Sequence, residues 1–391
     1  MKDAEESQIR AAEMVLPCAE IDATLRFFGE RLGFRVEMIS PADGPTVAVL
    51  AGHGLRLRLD TTEIGPAGTI RLRCQEPDAI AGGERLLTAP NGTLIKIVDA
   101  DFPVVLPPLQ PELVLAQIDN AAWGAGRAGM LYRDLIPGRL GGRFVASHIM
   151  IPDGGPVPDY VHFHNIRFQM IFCRRGWVRV VYEDQGPPFV MEAGDCVLQP
   201  PRIRHRVLES SAGLEVIEIG CPALHETFAD PDLSLPTSSL CPLRDFDGQR
   251  FQRHIAAAAA WQPGDVPGFE FSDTGIAAAT GGLAGGRVIR PVTANRTLPA
   301  THRGELSFHF VLDGELELGC DGIHRLSQGD AFTVPAATRY ALDECSRDLV
   351  LLEVRVPGDL RPQAPAALSQ RELDLTCRDR DAKLPMNAKA R

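Results

Sequence analysis

The sequence lacks the features that mark membrane, nucleic-acid-binding and secreted proteins. No run of eighteen apolar residues occurs, which argues against a transmembrane helix. No Lys/Arg cluster stands out in a chain with a formal net charge of −11 and a pI of about 5.4, so we expect no nucleic-acid partner. The acidic start, MKDAEESQIR, has neither the basic residues nor the apolar stretch of a signal peptide. We therefore expect a cytoplasmic protein with no membrane partner.

Paired cysteine motifs are also missing. The nine cysteines are scattered along the chain, and no two of them form a C-x-x-C pair. This pattern argues against a zinc ribbon and against a thioredoxin-like redox site. We expect the cysteines to be reduced and to serve mostly as small core residues.

Turn-forming residues are abundant, whereas long helical patterns are few. The 37 glycines and 31 prolines punctuate many short apolar runs, a texture typical of β-barrels and β-sandwiches. A length of 391 residues favours two or three domains. We therefore expect a mainly β protein.

The first 105 residues differ from the rest in their pattern. Apolar residues recur at helical spacing over Asp22–Leu32, with Asp22 at the N-cap position and Gly33 after the end. The surrounding pattern predicts a βαβββ unit followed by a curtailed copy, with strands at Arg35–Ile39, Thr46–Ala51, Leu55–Asp60, Thr69–Cys74 and Thr93–Val98. This segment is expected to be a small α+β module.

The same segment resembles the glyoxalase/vicinal-oxygen-chelate superfamily. LPCAEIDATLRFFGERLGFRVE is similar to the opening of such a module, and APNGTLIKIVD is similar to its closing strand. Members that use a metal place a His on the first strand and a Glu on the last, where this chain has Glu13 and Lys96. A lysine ammonium offers no lone pair. We expect the module to be metal-free, and it either binds a small molecule or only packs.

Two further segments flank the β-rich region. FPVVLPPLQPE begins at Phe102 and runs into residues 106–125, which we interpret as a stiff proline-rich linker. Residues 361–391 form a charged tail.

Three histidines carry the strongest functional signal. His162 and His164 lie in YVHFHNIRFQMIFCRRGWVRVV, and positions i and i+2 of a strand point to the same face. His205 follows in MEAGDCVLQPPRIRHRV. Five of the ten histidines lie between 148 and 225, so a shared metal site is favoured over a solvated pair.

These segments resemble the two motifs of the cupin superfamily, in which three histidines and a glutamate bind a metal. His162, His164 and His205 fall on the histidine positions, whereas Gln169 falls on the glutamate position and Arg202 replaces a glycine. The resemblance implies a double-stranded β-helix (jelly-roll) barrel over 126–235 that holds one divalent metal ion. Iron(II) is our first expectation, and zinc, manganese, nickel and copper stay open.

Other polar residues near the motifs are candidates for catalysis and for substrate binding. We assign catalytic roles to Gln169, His148 and Arg143, with Gln169 orienting the substrate or a bound water. For His148 a second interpretation stays open, in which it is a hydrogen-bonded histidine of the barrel wall. The substrate candidates are Tyr160, Gln199 and Arg204. His225 is expected to lie in a loop that packs locally.

Residues 243–360 repeat the pattern, which predicts a second, degenerate barrel. When Gly314 is set on Gly176, Ala300 falls on His162, His302 on His164 and Ser307 on Gln169, while Tyr340 stands at the His205 position. One imidazole holds a labile divalent ion poorly, so we expect no metal here. His309 lies on the face of Ser307, where a hydrogen-bonded role is favoured over metal binding.

Three functions are compatible with these patterns. Three-His cupins include gentisate-type ring-cleaving, β-diketone-cleaving and thiol dioxygenases, so the resemblance implies an iron oxygenase that acts with dioxygen on an aromatic or keto/enol carboxylate. A non-redox metal-dependent isomerase, lyase or hydrolase is the second hypothesis. A small-molecule-binding bicupin without catalysis is the third. A small anionic substrate and a homo-oligomer are expected.

Overall fold

The structure, a computed structural model, describes residues 10–359 apart from 101–102, 121, 294–295 and 298. The expected charged tail lies outside the described residues. The chain divides into two compact units, with the boundary between Pro103 and Val104. Within the described ranges, no helix is both long and apolar enough to cross a membrane.

The first unit has the expected βαβββ order followed by three more strands. Its elements are β1 (Met14–Pro17), α1 (Ile21–Arg26), β2 (Arg35–Ser40), β3 (Val47–Gly52), β4 (Leu55–Asp60), β5 (Thr69–Cys74), β6 (Leu86–Thr88) and β7 (Leu94–Asp99). They form two sheets, of order β1-β4-β3-β2 and β5-β7-β6. The predicted helix ends earlier than expected as an α-helix, because Phe27–Arg31 continues it in π-helical form. Relationship to the glyoxalase superfamily stays a prediction.

The second unit is mainly β and opens with one barrel. Its elements are β8 (Val114–Ala116), β9 (Gly124–Ala125), β10 (Leu131–Asp134), the helical turn α2 (Arg139–Gly142), β11 (Val145–Ile151), β12 (Gly155–Pro156), β13 (His162–Asn165), β14 (Phe168–Arg175), β15 (Trp177–Tyr182), β16 (Phe189–Glu192), β17 (Cys196–Leu198), β18 (His205–Ser210), β19 (Leu214–Cys221) and β20 (Glu226–Ala229). We call the barrel built on β9–β20 the first barrel.

A second barrel follows. Its elements are β21 (Gln252–His254), β22 (Trp261–Pro263), β23 (Phe269–Asp273), α3 (Ile276–Ala279), β24 (Gly285–Pro291), β25 (Leu306–Asp313), β26 (Glu315–Gly319), β27 (Ile323–Ser327), β28 (Ala331–Thr333), β29 (Ala341–Asp343) and β30 (Val350–Val356). The barrel built on β22–β30 is the second barrel. In both barrels the expected glycine ends the long strand with a positive φ, 76° at Gly176 and 74° at Gly314.

The two barrels exchange edge strands. Strand β8 precedes the first barrel in the chain but pairs with β28 of the second barrel. Strand β21 precedes the second barrel but pairs with β17 of the first. The prolines led us to interpret the segment 106–125 as a linker. Its proline-rich start is followed by a strand, because Val114–Ala116 extend the sheet of the second barrel.

One apolar core lies between the barrels. The face of β14 and β19 contributes Phe168, Phe172 and Ile217, and the face of β25 and β30 contributes Phe308 and Leu352, all at most 2% exposed. Each barrel also encloses a separate interior cluster. Large side chains meet in layers because alternate residues of each strand point away from the barrel interior.

Truncation of this shared core is expected to destabilise the second unit. Phe308→Ala removes a ring that is 0% exposed, and we expect the free energy of unfolding to fall by about 3–5 kcal/mol. Urea denaturation followed by circular dichroism measures the change. The control Ile323→Ala removes a side chain that is 73% exposed and is expected to change the value by less than about 0.5 kcal/mol. Equal effects of the two substitutions would contradict a common core.

Candidate metal centre

Strand geometry brings the three histidines of the sequence motif together. His162 and His164 point to one side of β13, and Phe163 points to the other side, where it stacks on Phe228 at a centroid distance of 5.2 Å. His205 begins β18 and pairs directly opposite His162. The ring centroids of the three imidazoles are 4.3–5.3 Å apart. One nitrogen from each ring lies within 4.8 Å of the others.

Backbone carbonyl oxygens fix the tautomers of His162 and His205, and a hydroxyl oxygen holds the ring of His164. Each Nδ1 lies at hydrogen-bond distance from an oxygen: Tyr160 O for His162 at 2.8 Å, Thr227 Oγ1 for His164 at 2.8 Å and Ile203 O for His205 at 3.0 Å. A carbonyl oxygen only accepts, so Nδ1 of His162 and of His205 carries the proton. Nε2 of these two rings then carries the lone pair, the arrangement found when outer groups orient metal-binding histidines.

Burial favours the neutral form of all three rings by lowering their pKa values. Burial lowers the pKa of His162, lowers that of His164 further with help from the neighbouring imidazoles, and lowers that of His205 well below its ordinary value. His162 and His205 are 1% and 6% exposed. A neutral imidazole is the form that binds a metal. The donor set therefore fits one divalent ion, and it is the one such cluster among the described residues.

The cluster opens into a cavity of about 360 Å³ inside the first barrel. One part of its wall is apolar and includes Met130, Ile149, Ile171, Val178, Met191 and Val216. Polar side chains form the rest of the wall, among them Gln169, Gln199, Tyr182, Glu218 and the arginines Arg127, Arg139 and Arg206. A small, partly apolar molecule with a few polar atoms suits such a space.

Glu218 is a cavity residue that the sequence reasoning missed. Gln169, at the motif's glutamate position, donates a hydrogen bond from Nε2 to Glu218 Oε1 at 2.5 Å. The carboxylate expected at position 169 is thus present in the cavity but comes from the neighbouring strand β19. Its proximity to Gln169 fixes the orientation of the Gln169 amide, whose carbonyl oxygen faces away from Glu218.

The second barrel carries a carboxylate at the same place. Glu218 lies opposite Ser147 and Ile171 in the sheet, and Glu353 lies opposite Arg287 and His309 in the repeat. Glu353 is 2% exposed and accepts hydrogen bonds from Arg287, from His309 at 3.2 Å and from Arg355 at 2.8 Å. An alignment of the two closing strands is the signal that would have found Glu218.

Two more residues of the site gave no usable sequence signal. Arg127, in a 3₁₀ turn before β10, donates from Nη2 to His162 Nε2 at 2.9 Å and pairs with Asp159 at 3.2 Å. His225 lines the cavity, with its ring centroid 5.4 Å from that of His164, so it does not only pack locally as expected. Both residues come from irregular segments, where strand periodicity gives no direction for a side chain.

Two residues expected to be catalytic have their side chains engaged elsewhere. His148 is buried between the barrels, where it donates to Glu215 at 2.8 Å, accepts from Arg133 and contacts Phe310. Arg143 pairs with Glu305 at 2.6 Å. Neither residue is among the described side chains that line the cavity, because each points away from the barrel interior. This placement corrects the expectation of a catalytic role.

Of the three substrate candidates, one is among the described residues that line the cavity and two are not. Gln199 is 4% exposed, lines the cavity and hydrogen-bonds Tyr182. Tyr160 is 51% exposed, with its ring edge-on to His162 at 5.8 Å. Arg204 pairs with Asp230 at 3.1 Å and lies over the Phe163 ring, outside the described cavity lining. The structure therefore brings Gln169 and Gln199 to the histidines and leaves Arg204 away from them.

The equivalent place in the second barrel has lost the ligand set. Ala300 and Tyr340 pair as His162 and His205 do in the first barrel. Both ring nitrogens of His302 have hydrogen-bond partners, Val334 O at 2.7 Å and Gly304 N–H at 3.2 Å. The remaining cavity is about 50 Å³. Buried charge pairs fill the space that is open in the first barrel.

The histidine environment leads to a prediction for the metal-free protein. The imidazoles of His162, His164 and His205 are expected to become protonated at a lower pH than an ordinary histidine, because burial lowers the pKa of each ring below about 6.5. Two-dimensional ¹H–¹⁵N correlation spectra of the imidazoles measure their protonation. Because the unfolded chain binds protons that the folded site does not, stability should also fall as the pH drops below about 6.5. Titration of these rings near pH 6.5 would contradict the described burial.

Comparison with known proteins identifies the fold. Neither a family model nor a curated protein matches the sequence. A salicylate 1,2-dioxygenase from Pseudoaminobacter salicylatoxidans, solved with gentisate, is 15% identical with a TM-score of 0.52, over 67% of this chain and 88% of that one. An oxalate decarboxylase from Lactobacillus farciminis, solved with formate, is 12% identical with a TM-score of 0.48, over 73% and 97%. At these identities the likeness shows the fold alone. The chain shares with the salicylate 1,2-dioxygenase a bicupin fold, in which one polypeptide forms two barrels.

Proposed function

We propose that the first barrel is the centre of a mononuclear metal enzyme, with iron(II) as the metal and dioxygen as a co-substrate. The observation that supports this proposal is the cluster of three imidazoles, which bring one ring nitrogen each to within 4.8 Å of one another and line one cavity. His162, His164 and His205 would hold the ion. The ion would supply Lewis acidity and, as iron(II), electrons for reaction with dioxygen.

The remaining residues favour a small anionic substrate. Three neutral ligands leave the charge of a divalent ion uncompensated, which favours binding of an anion. Arg127 adds a cation within hydrogen-bond distance of His162. The apolar wall suits the body of an aromatic or keto/enol carboxylate. The dioxygenase with the same fold was solved with gentisate, a precedent for such a ligand in a bicupin.

The chain's own residues would orient the substrate and handle protons. The amide of Gln169, held by Glu218, presents a fixed carbonyl oxygen to a substrate hydroxyl. Glu218 is a proton acceptor at hydrogen-bond distance from that amide. The apolar wall limits the access of water to the reacting groups.

A second candidate is a non-redox isomerase, lyase or hydrolase at the same centre. Glu218 favours it, because a carboxylate that lines the cavity could accept a proton from a substrate without any change in oxidation state. The two candidates share the metal and differ in their need for dioxygen. The third candidate is a binding protein without catalysis, which predicts no turnover either with or without dioxygen.

Metal content tests the ligand set. Protein purified without a metal-affinity tag is expected to contain about one iron per chain by plasma mass spectrometry, and His162→Ala is expected to lose it, because two imidazoles hold a divalent ion poorly. The control is His324→Ala, which changes a histidine outside the cluster that hydrogen-bonds Cys320 O. This variant should keep the metal. Absence of metal from the wild type would overturn the proposal, and zinc, manganese or nickel in its place would favour the non-redox candidate.

Oxygen consumption tests the reaction class. The iron-loaded protein is expected to consume dioxygen with at least one member of a panel of hydroxybenzoates, diketones and thiols, because its site offers both a metal and an anion-binding cavity. An oxygen electrode measures the rate, and the His162→Ala variant sets the background. Turnover that persists under anaerobic conditions would contradict the oxygenase and support the non-redox candidate. Binding without turnover of any kind would support the third.

A further inference from the structure

Arg127 makes the most unusual contact in the metal centre. Its Nη2 donates a hydrogen bond to Nε2 of His162, the atom whose lone pair a metal ion would take. Its Nη1 lies 3.2 Å from Asp159 Oδ1. The Asp159 side chain is 1% exposed and also accepts the Val207 N–H at 3.0 Å, so it is a fixed tether for the guanidinium. The Arg127 side chain itself is 38% exposed and can move toward solvent.

One lone pair cannot serve both partners. A metal ion on His162 Nε2 must displace the Nη2 proton, and the guanidinium then lies beside an ion of the same sign. Like charges a few ångströms apart at a partly buried site repel each other strongly. The Nη2 group also loses its acceptor, which costs free energy unless another oxygen replaces it.

An anion that lies between the ion and the guanidinium relieves both costs. A carboxylate oxygen accepts the Nη2 hydrogen bond in place of His162, and its negative charge compensates both cations. Asp159 cannot do this alone, because it is already bound to Nη1 and to the Val207 amide. A neutral molecule of the same shape offers an acceptor of lower strength and no charge.

We propose that Arg127 couples metal binding to the binding of a carboxylate, by competing with the metal for His162 when the carboxylate is absent and by binding the carboxylate when the metal is present. The inference rests on the proposed function, since it concerns the same centre. It also narrows the substrate class to molecules with a carboxylate beside the metal-binding group. Because such coupling is reciprocal, the carboxylate must raise the affinity for metal as much as metal raises the affinity for the carboxylate.

The experiment measures metal affinity rather than turnover. Full-length protein is stripped of metal and titrated with Co²⁺ by calorimetry, alone and with equal concentrations of benzoate or benzamide, a matched pair that differs in charge. In the wild type, benzoate is expected to increase the Co²⁺ affinity about tenfold more than benzamide does. Titrations without protein correct for binding of benzoate to free Co²⁺.

Substitutions at position 127 remove the competition and the coupling together. Arg127→Gln is expected to bind Co²⁺ alone about tenfold more tightly than the wild type, because a charge is removed from beside the ion, and to lose the preference for benzoate. Arg127→Lys retains the cation and should retain part of the preference. The control Arg179→Gln removes a cation that pairs with Glu209 on the neighbouring strand and should match the wild type. Circular dichroism confirms that each variant is folded.

The outcomes separate this inference from the proposed function. If Arg127→Gln binds Co²⁺ no more tightly than the wild type, or keeps the preference for benzoate, Arg127 does not couple the two ligands and the inference is overturned. If no variant binds Co²⁺, both the inference and the proposed function fail. If Co²⁺ binding behaves as expected but the iron-loaded protein never consumes dioxygen, only the oxygenase assignment fails.

Discussion

The antiparallel register that sets His205 opposite His162 is the constraint on which the metal centre depends. It brings together two segments separated by some forty residues of chain and places both rings on the inner side of the sheet. The third ring follows from strand alternation alone, two residues further along β13. Backbone carbonyls next to two of the three histidines then fix their tautomers. A slip of one residue in this register would turn the ligands outward.

The second barrel shows that this register does not depend on the presence of the histidines. Ala300 and Tyr340 keep the same bridge without any metal-binding atoms. The carboxylate at the equivalent of Glu218 is kept as well, but Arg287 and His309 bind it and close the cavity around it. In the first barrel the corresponding neighbours are Ser147 and Ile171, which leave room and leave the carboxylate available. A few side chains around one conserved backbone arrangement thus decide between an open site and a filled core.

Local patterns explain which parts could be predicted from the sequence. The H-x-H pair and the third histidine were found because strand periodicity and motif spacing are local signals. The sequence left two interpretations of His148 open, because its strand has two buried faces, one toward the cavity and one toward the other barrel, and apolar neighbours do not distinguish them. Arg127 reaches the site from a turn, and its contact with His162 joins residues 35 positions apart, so only the folded structure reveals it. The strand β8 was hidden for the same reason, since its partner β28 lies more than two hundred residues away.

The exchange of edge strands explains why a barrel without metal ligands persists in this protein. After a gene duplication, a copy that loses its ligands is ordinarily free to be shortened or deleted. Here the second barrel is accompanied by β21, which covers the edge strand β17 of the first barrel, while β8 covers β28 in return. Deletion of either copy would leave an unpaired edge, a surface on which chains aggregate. Selection against such deletions would preserve the second barrel without any metal ligands, as a permanent structural partner of the first.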